Sequence, residues 1–218
     1  MSVQDDKKYL SEWVKKMFDD GIVTKNAGCL SLRNGSQMMI TPNETDLENF
    51  SGDTAVIVNL ADSSYEGSEK PHRDYKLHAA LYNKKKNYNV LVHTVLTNTV
   101  TSSKAGREVL PLLDDVAQII GATVKVAEYN HSVNQAVIKS TINALKRRSG
   151  ALLKNNGAIC GAYNFYDAQA VAQVLEKGCK TFIETEFLGG GKKINFFEAN
   201  LMRLVYNIKY SKQDVQNR

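Results

Sequence analysis

The chain has 218 residues, of which 43% are hydrophobic and 23% charged, with a formal net charge of +5. That length can bury one sizeable core, the composition is that of a folded globular protein, and no apolar run approaches the roughly 18 residues that a membrane span needs. The charge is mild, and its densest runs, Lys84-Lys85-Lys86 and Lys146-Arg147-Arg148, lack interleaved aromatics; they read as solvated faces, so neither a nucleic-acid nor a membrane partner is expected.

Tyr9, Trp13, Met17 and Phe18 recur at helical spacing between Asp5 and Asp20, with Gly21 as the stop, which predicts a first core helix. Asn34-Gly35 then joins the alternating runs Cys29–Arg33 and Gln37–Thr41 as a hairpin. Asp53 to Leu60 reads as a strand, Asp74 to Asn83 as a helix with Leu77, Ala80 and Leu81 on one face, and Val90 to Leu96 as a β-branched strand carrying His93. A helix is predicted over 108–121, a strand over 122–127 and an amphipathic helix over 133–147. Gly150–Lys154 and Ala158–Gly161 are strands around the Asn155-Asn156-Gly157 turn, Asp167 is the predicted N-cap of a helix to Phe187, and a last helix runs from Asn195 to Ser211. Early hairpins followed by βα alternation predict one three-layer α/β domain over residues 1–218 with a mixed sheet.

Cys29, Cys160 and Cys179 are odd in number and unpaired in spacing, and MSVQDDKKYL has no apolar signal core, so a reducing, cytoplasmic setting is expected. Three of the four histidines, His72, His78 and His93, fall between Lys70 and Ser103. His78 and His131 read as surface or hydrogen-bonded structural residues, whereas His93 on its strand is a candidate ligand or acid/base group. Cys29 has no base placed near it by sequence and reads as a buried free thiol.

In order and spacing, Gly28, Ser31 with Arg33, Ile40-Thr41-Pro42, the strand Val56 to Leu60, Lys70-Pro71, Leu77-His78, Val92-His93-Thr94 and Asn155 with Gly157 resemble the class II aldolase and adducin head-domain family. The resemblance covers nearly the whole chain. It implies a three-layer αβα fold with a central mixed, largely antiparallel sheet, and a homotetramer with pockets at subunit boundaries, to which Tyr206 and Tyr210 would contribute. In such enzymes, among them fuculose-, rhamnulose- and ribulose-phosphate aldolases and epimerases, zinc is held by two imidazoles of a His-Thr-His strand and a third from an Asn-His-Gly turn, with a glutamate handling the proton.

Here the strand reads His93-Thr94-Val95, the turn Asn155-Asn156-Gly157, and the acid/base position is Asp74. One imidazole, a valine and an amide do not make a zinc site, so no tight zinc is expected; by resemblance alone the cofactor would be Zn2+ or another divalent metal on His93. The phosphate-cradling positions read Gly28-Cys29, Thr41-Pro42-Asn43-Glu44 and His72-Arg73. Glu44 repels an anion while His72 and Arg73 attract one, and two resolutions stand: Arg73 paired with Glu44 or Asp74 in the old pocket, or a different, carboxylate-bearing ligand. The expected function is a family member that has lost zinc-dependent aldol cleavage and binds a small anion, or serves as an oligomeric scaffold. The alternative is an active sugar-phosphate lyase using a relocated metal or a metal-free Asp74–His93 acid/base pair.

Overall fold

The structure is a computed structural model and describes residues 2–209. Helix α1 (Val3–Asp19) starts at a capping box in which Ser2 and Asp5 satisfy each other's backbone N–H groups. The hairpin strands β1 (Cys29–Asn34) and β2 (Gln37–Ile40) form as their alternation requires. Two 3-10 turns, Leu47–Asn49 and Gly52–Thr54, lead into β3 (Val56–Asn59), so the first residues of the expected 53–60 strand are helical instead. Helix α2 (Tyr75–Lys84) and strand β4 (Val90–Thr94) follow.

The segment between 95 and 127 departs most from expectation. Helix α3 (Thr97–Ala105) is built from residues of low helix propensity and is held from outside: Glu176 accepts the backbone N–H groups of Asn98 and Thr99 at 2.9 and 2.8 Å, doing the work of an absent N-cap. The helix predicted over 108–121 is replaced over its first half by extended chain. Val109 pairs with Val124 through hydrogen bonds of 3.1 and 2.9 Å, Pro111 disfavours helix around it, and helix begins only at Asp114, continuing as the π turn Val116–Ile120. Strand β5 is reduced to Val126–Ala127.

Helix α4 (Gln135–Ala144), strands β6 (Gly150–Leu153) and β7 (Ala158–Ala162), α5 (Phe165–Phe187) and α6 (Phe196–Lys209) complete the chain. Asn164, not Asp167, caps α5; its side chain accepts the Asp167 backbone N–H at 2.7 Å.

The seven strands form one sheet in the order β3-β2-β1-β4-β7-β6-β5, antiparallel except for β5 with β6. Leu30, Leu32, Val90, Val92, Leu152 and Cys160 point to one face, where they pack with α1, α5 and the π turn. Met38, Ile40, Val58, Leu91, Ala151 and Ile159 point to the other, against α2 and α4. This is the three-layer arrangement expected. Strict alternation then decides where the polar residues go: with Leu91 on the α2 face, His93 is on it too, and its register partner Cys29 brings Ser31 along.

Candidate functional site

Helix α2 opposes those sheet residues with a polar stripe of its own. Asp74, His78 and Tyr82 are four residues apart, hence one above the other on the helix, and are 1%, 0% and 0% exposed. Two hydrogen-bond chains result. In the first, Tyr129 donates its hydroxyl to Asp74 Oδ1 at 2.7 Å, Asp74 Oδ2 faces His93 Nδ1 at 2.9 Å, and His93 Nε2 faces the Asn156 carbonyl oxygen at 2.7 Å. In the second, Tyr82 Oη meets Ser31 Oγ at 2.8 Å, Ser31 Oγ meets His78 Nδ1 at 2.8 Å, and His78 Nε2 lies 3.5 Å from Cys29 Sγ.

The first chain converges because β4, β5 and β6 run in one direction, so their C-terminal ends share an edge of the sheet. His93 ends β4, Tyr129 follows β5 and Asn156 follows β6. Two glycines let the loops close there. A Cβ on Gly28, whose φ is +98°, would lie 2.8 Å from the His93 carbonyl oxygen, and one on Gly157, at +71°, would collide with that of Thr94.

Both oxygens flanking the His93 ring are acceptors, so only a ring carrying a proton on each nitrogen makes both bonds. Burial pushes the Asp74 carboxyl up, but the His93 hydrogen bond and charge outweigh it and hold the group well below the usual carboxylate range. Burial and then the Asp74 charge push the Tyr129 hydroxyl up, keeping it a donor. His72, 9% exposed, is lowered by burial to about 4 and is neutral; its Nδ1 accepts the Asp74 backbone N–H at 3.3 Å, so its proton sits on Nε2. Its 3.7 Å approach to Asp74 Oδ2 is therefore not an ion pair.

The predicted residues divide. Asp74, His93 and Cys29 come together, their ligating atoms all within 4.8 Å of one another. Asn156 contributes its backbone carbonyl rather than the side chain expected. Thr41 is fully buried and structural: its Oγ1 accepts the Leu30 backbone N–H, and its carbonyl accepts that of His72. Asn43 is half-buried and its backbone N–H bonds Lys70. Arg73 is exposed and makes no ion pair with Glu44 or Asp74 among the described residues, so the expected pairing does not form.

His78 is a buried structural histidine, lowered by burial to about 3, and it supplies the neighbour that sequence did not place beside Cys29. The pair is not reactive, since burial and the Asp74 charge hold the Cys29 thiol well above its ordinary value. His131 is exposed, 6.0 Å from the Tyr129 ring. Tyr206 stacks beside Arg203, away from this site, and Tyr210 lies outside the described residues. Tyr129 is the member that sequence reasoning missed; its one signal was a polar Tyr-Asn-His-Ser segment just after a strand end.

Cys, Asp and His are a chemically acceptable zinc set, but as arranged they do not fit the ion. Both His93 nitrogens are committed, the thiol is held protonated, and Asp74 already accepts two hydrogen bonds. Val95 and Asn156, the positions to which the resemblance assigns the other two imidazoles, offer a half-buried apolar side chain and an amide. A cleft of about 530 Å³ lies elsewhere, beside edge strand β3 among Asp53, Tyr65 and Glu66; the chemistry, not cleft size, makes the His93 end of the sheet the candidate site.

Residues 8–183 match the family model described as the Class II Aldolase and Adducin N-terminal domain. The chain belongs to this family. It is 27% identical over 194 residues to a 5-deoxy-D-ribulose 1-phosphate aldolase of Bacillus thuringiensis, covering 88% of this chain and 91% of the relative. It is 25% identical over 175 residues, 80% of this chain and 94% of the relative, to an L-fuculose phosphate aldolase of Methanocaldococcus jannaschii. Among solved structures, an L-fuculose 1-phosphate aldolase superposes with a TM-score of 0.88 at 20% identity, covering 95% of this chain and 98% of the other. The class II aldolase fold is thus common to them.

Proposed function

We propose that this class II aldolase family protein binds a small anionic, sugar-phosphate-like ligand at the rim formed by Arg73, His72 and Tyr129, and does so without zinc-dependent aldol cleavage. The observation that carries this reading is the commitment of both His93 nitrogens, one to Asp74 and one to the Asn156 carbonyl, where a metal-binding imidazole needs a lone pair. Anion binding is supported by the exposed guanidinium of Arg73, which has no carboxylate partner among the described residues, and by the neutral His72, whose Nε2 proton is available to an oxygen ligand. The sugar-phosphate class comes from the relatives, which are sugar-phosphate aldolases.

The setting we propose is cytoplasmic, with residues 1–218 forming one domain that assembles as a homotetramer. Exposed Phe197, Leu201, Leu204 and Ile208 along α6, between 55% and 83% exposed, support self-association.

The test is metal content together with turnover. Protein purified without chelators is expected to contain far less than one zinc per chain and to leave fuculose, rhamnulose and ribulose phosphates uncleaved. The same compounds should raise its melting temperature, an effect lost in Arg73→Gln. Near-stoichiometric zinc that disappears in His93→Ala would sink the reading. A positive control is the combination Val95→His, Asn156→His and Asp74→Glu, which rebuilds the family ligand set and should gain zinc.

A further inference from the structure

The two basic runs that sequence treats as separate solvated faces are one surface in the fold. Lys84-Lys85-Lys86 end α2 and precede β4, and Lys146-Arg147-Arg148 follow α4 and precede β6. Because β4 and β6 run in the same direction, both runs lie at the sheet edge opposite His93. They are clamped together: Lys85 Nζ donates to the carbonyl oxygens of Leu145 and Lys146 at 2.5 and 2.8 Å, and Tyr88 Oη donates to that of Arg148 at 2.5 Å.

Cations without an ion pair among the described residues occur elsewhere, Lys15, Lys104 and Arg73 among them; what sets this surface apart is that seven share one face, where the Glu108 carboxylate that acts on Arg148 is already paired with Lys125. Lys, Arg and carboxylate side chains pair at many places elsewhere, from Lys7–Asp53 to Lys177–Asp115. Among the described residues none of these six cations forms an ion pair, and neither does Arg203, which lies near enough to bias Lys85. Lys85, Arg148 and Arg203 are half-buried, and they donate to backbone carbonyls and the Ser149 hydroxyl, not to carboxylates. Burial, then the charges of Arg203 and Arg148, lowers the Lys85 ammonium to about 8. Lysines at helix C-termini favour the helix dipole, which explains single residues there. It does not explain three half-buried cations behind four exposed ones, Lys84, Lys86, Lys146 and Arg147.

We propose that this face binds a linear polyphosphate chain. A polyanion supplies many charges at a fixed spacing and releases its counterions on binding. A phosphate chain without bases is favoured over nucleic acid because the rings at this face offer little for stacking: Tyr88 is 3% exposed, and half-buried Tyr206 already lies against the Arg203 guanidinium, 6.0 Å away.

The experiment measures binding of the whole protein to inorganic polyphosphate of about 25 units as salt is varied. It compares wild type with the combined variant Lys84→Gln, Lys86→Gln, Lys146→Gln and Arg147→Gln, all at exposed positions. A second variant neutralising Lys15, Lys104, Lys139 and Lys192, exposed elsewhere, controls for net charge. Expected is salt-dependent binding that the patch variant weakens at least tenfold, with the salt slope falling by about three, while the control variant stays near wild type and melting temperatures agree. Absence of binding at low salt, equal loss in the control variant, or tighter binding of a single-stranded oligonucleotide of equal phosphate number would overturn it.

Discussion

The two hydrogen-bond chains between α2 and the sheet share a plan and differ in charge. Each has a tyrosine hydroxyl at one end and an imidazole towards the other, and the carrier between them is Asp74 in one and Ser31 in the other. With a serine, every group is neutral, and burial lowers His78 to about 3 without any opposing anion close enough to prevail. With a carboxylate, the ring opposite faces acceptors on both sides. One methylene-linked group, hydroxyl or carboxylate, thus separates a structural core network from a charged one that opens towards the Arg73 rim. The difference also explains why the same residue type, histidine, is packing in one place and a site residue a few ångströms away.

The comparison breaks most visibly at Asp74. Asp74→Asn removes the charge that His93 and Tyr129 are arranged around, and losing one partner of a buried pair costs about 3–5 kcal/mol. Denaturant unfolding checks this directly. A loss below about 1 kcal/mol would mean that the His93 ring is neutral and that the two chains are electrostatically alike. The depressed Asp74 carboxyl contributes stability above its unfolded value near 4, lost as pH falls through its lower folded value, so this dependence should vanish in the variant.

Much of this arrangement was legible in the sequence. The Asn34-Gly35 turn sets the hairpin register, and alternation along β4 places His93. What could not be read depends on long-range closure. Tyr129 reaches Asp74 only because short β5 joins the sheet in parallel beside β6. His78 meets Cys29 because the α2 stripe happens to overlie β1, a relation 49 residues apart in sequence. That a backbone carbonyl, not the Asn156 side chain, takes the second His93 nitrogen is a matter of loop geometry, fixed by Gly157 and Thr94. Helix α3 was hidden for a related reason, since its N-terminal cap is Glu176, on another helix.

A smaller effect separates the chains by pH. The neutral imidazoles of His78 and His72 take up protons near pH 6.5 when unfolded but only near 3 and 4 when folded, so both favour unfolding as pH falls below 6.5. At pH 5, 1.5 units below that value, His78 alone should cost on the order of 2 kcal/mol relative to pH 7. His78→Gln keeps a hydrogen-bonding group beside Ser31 and removes that proton. Stability measured between pH 7 and 5 should then fall less steeply than in wild type, and an unchanged slope would place the His78 ring in water.

The least costly substitution tests whether the charged chain orients its carboxylate. Tyr129→Phe keeps the ring against His93, 6.2 Å away between centroids, and deletes only the hydroxyl that donates to Asp74 Oδ1. A hydrogen bond to a charged acceptor contributes about 1.5–3 kcal/mol, but Tyr129 is half-buried, so water can replace part of it and a loss of about 1 kcal/mol is expected. Stability alone would not distinguish orientation from packing. The discriminating readout is the Asp74 carboxyl itself: losing one of its two donors should raise its titration, followed by carbon NMR, whereas a residue that merely fills space would leave it unmoved. If the titration stays put, His93 alone fixes Asp74, and Tyr129 is a wall of the rim rather than a member of the chain.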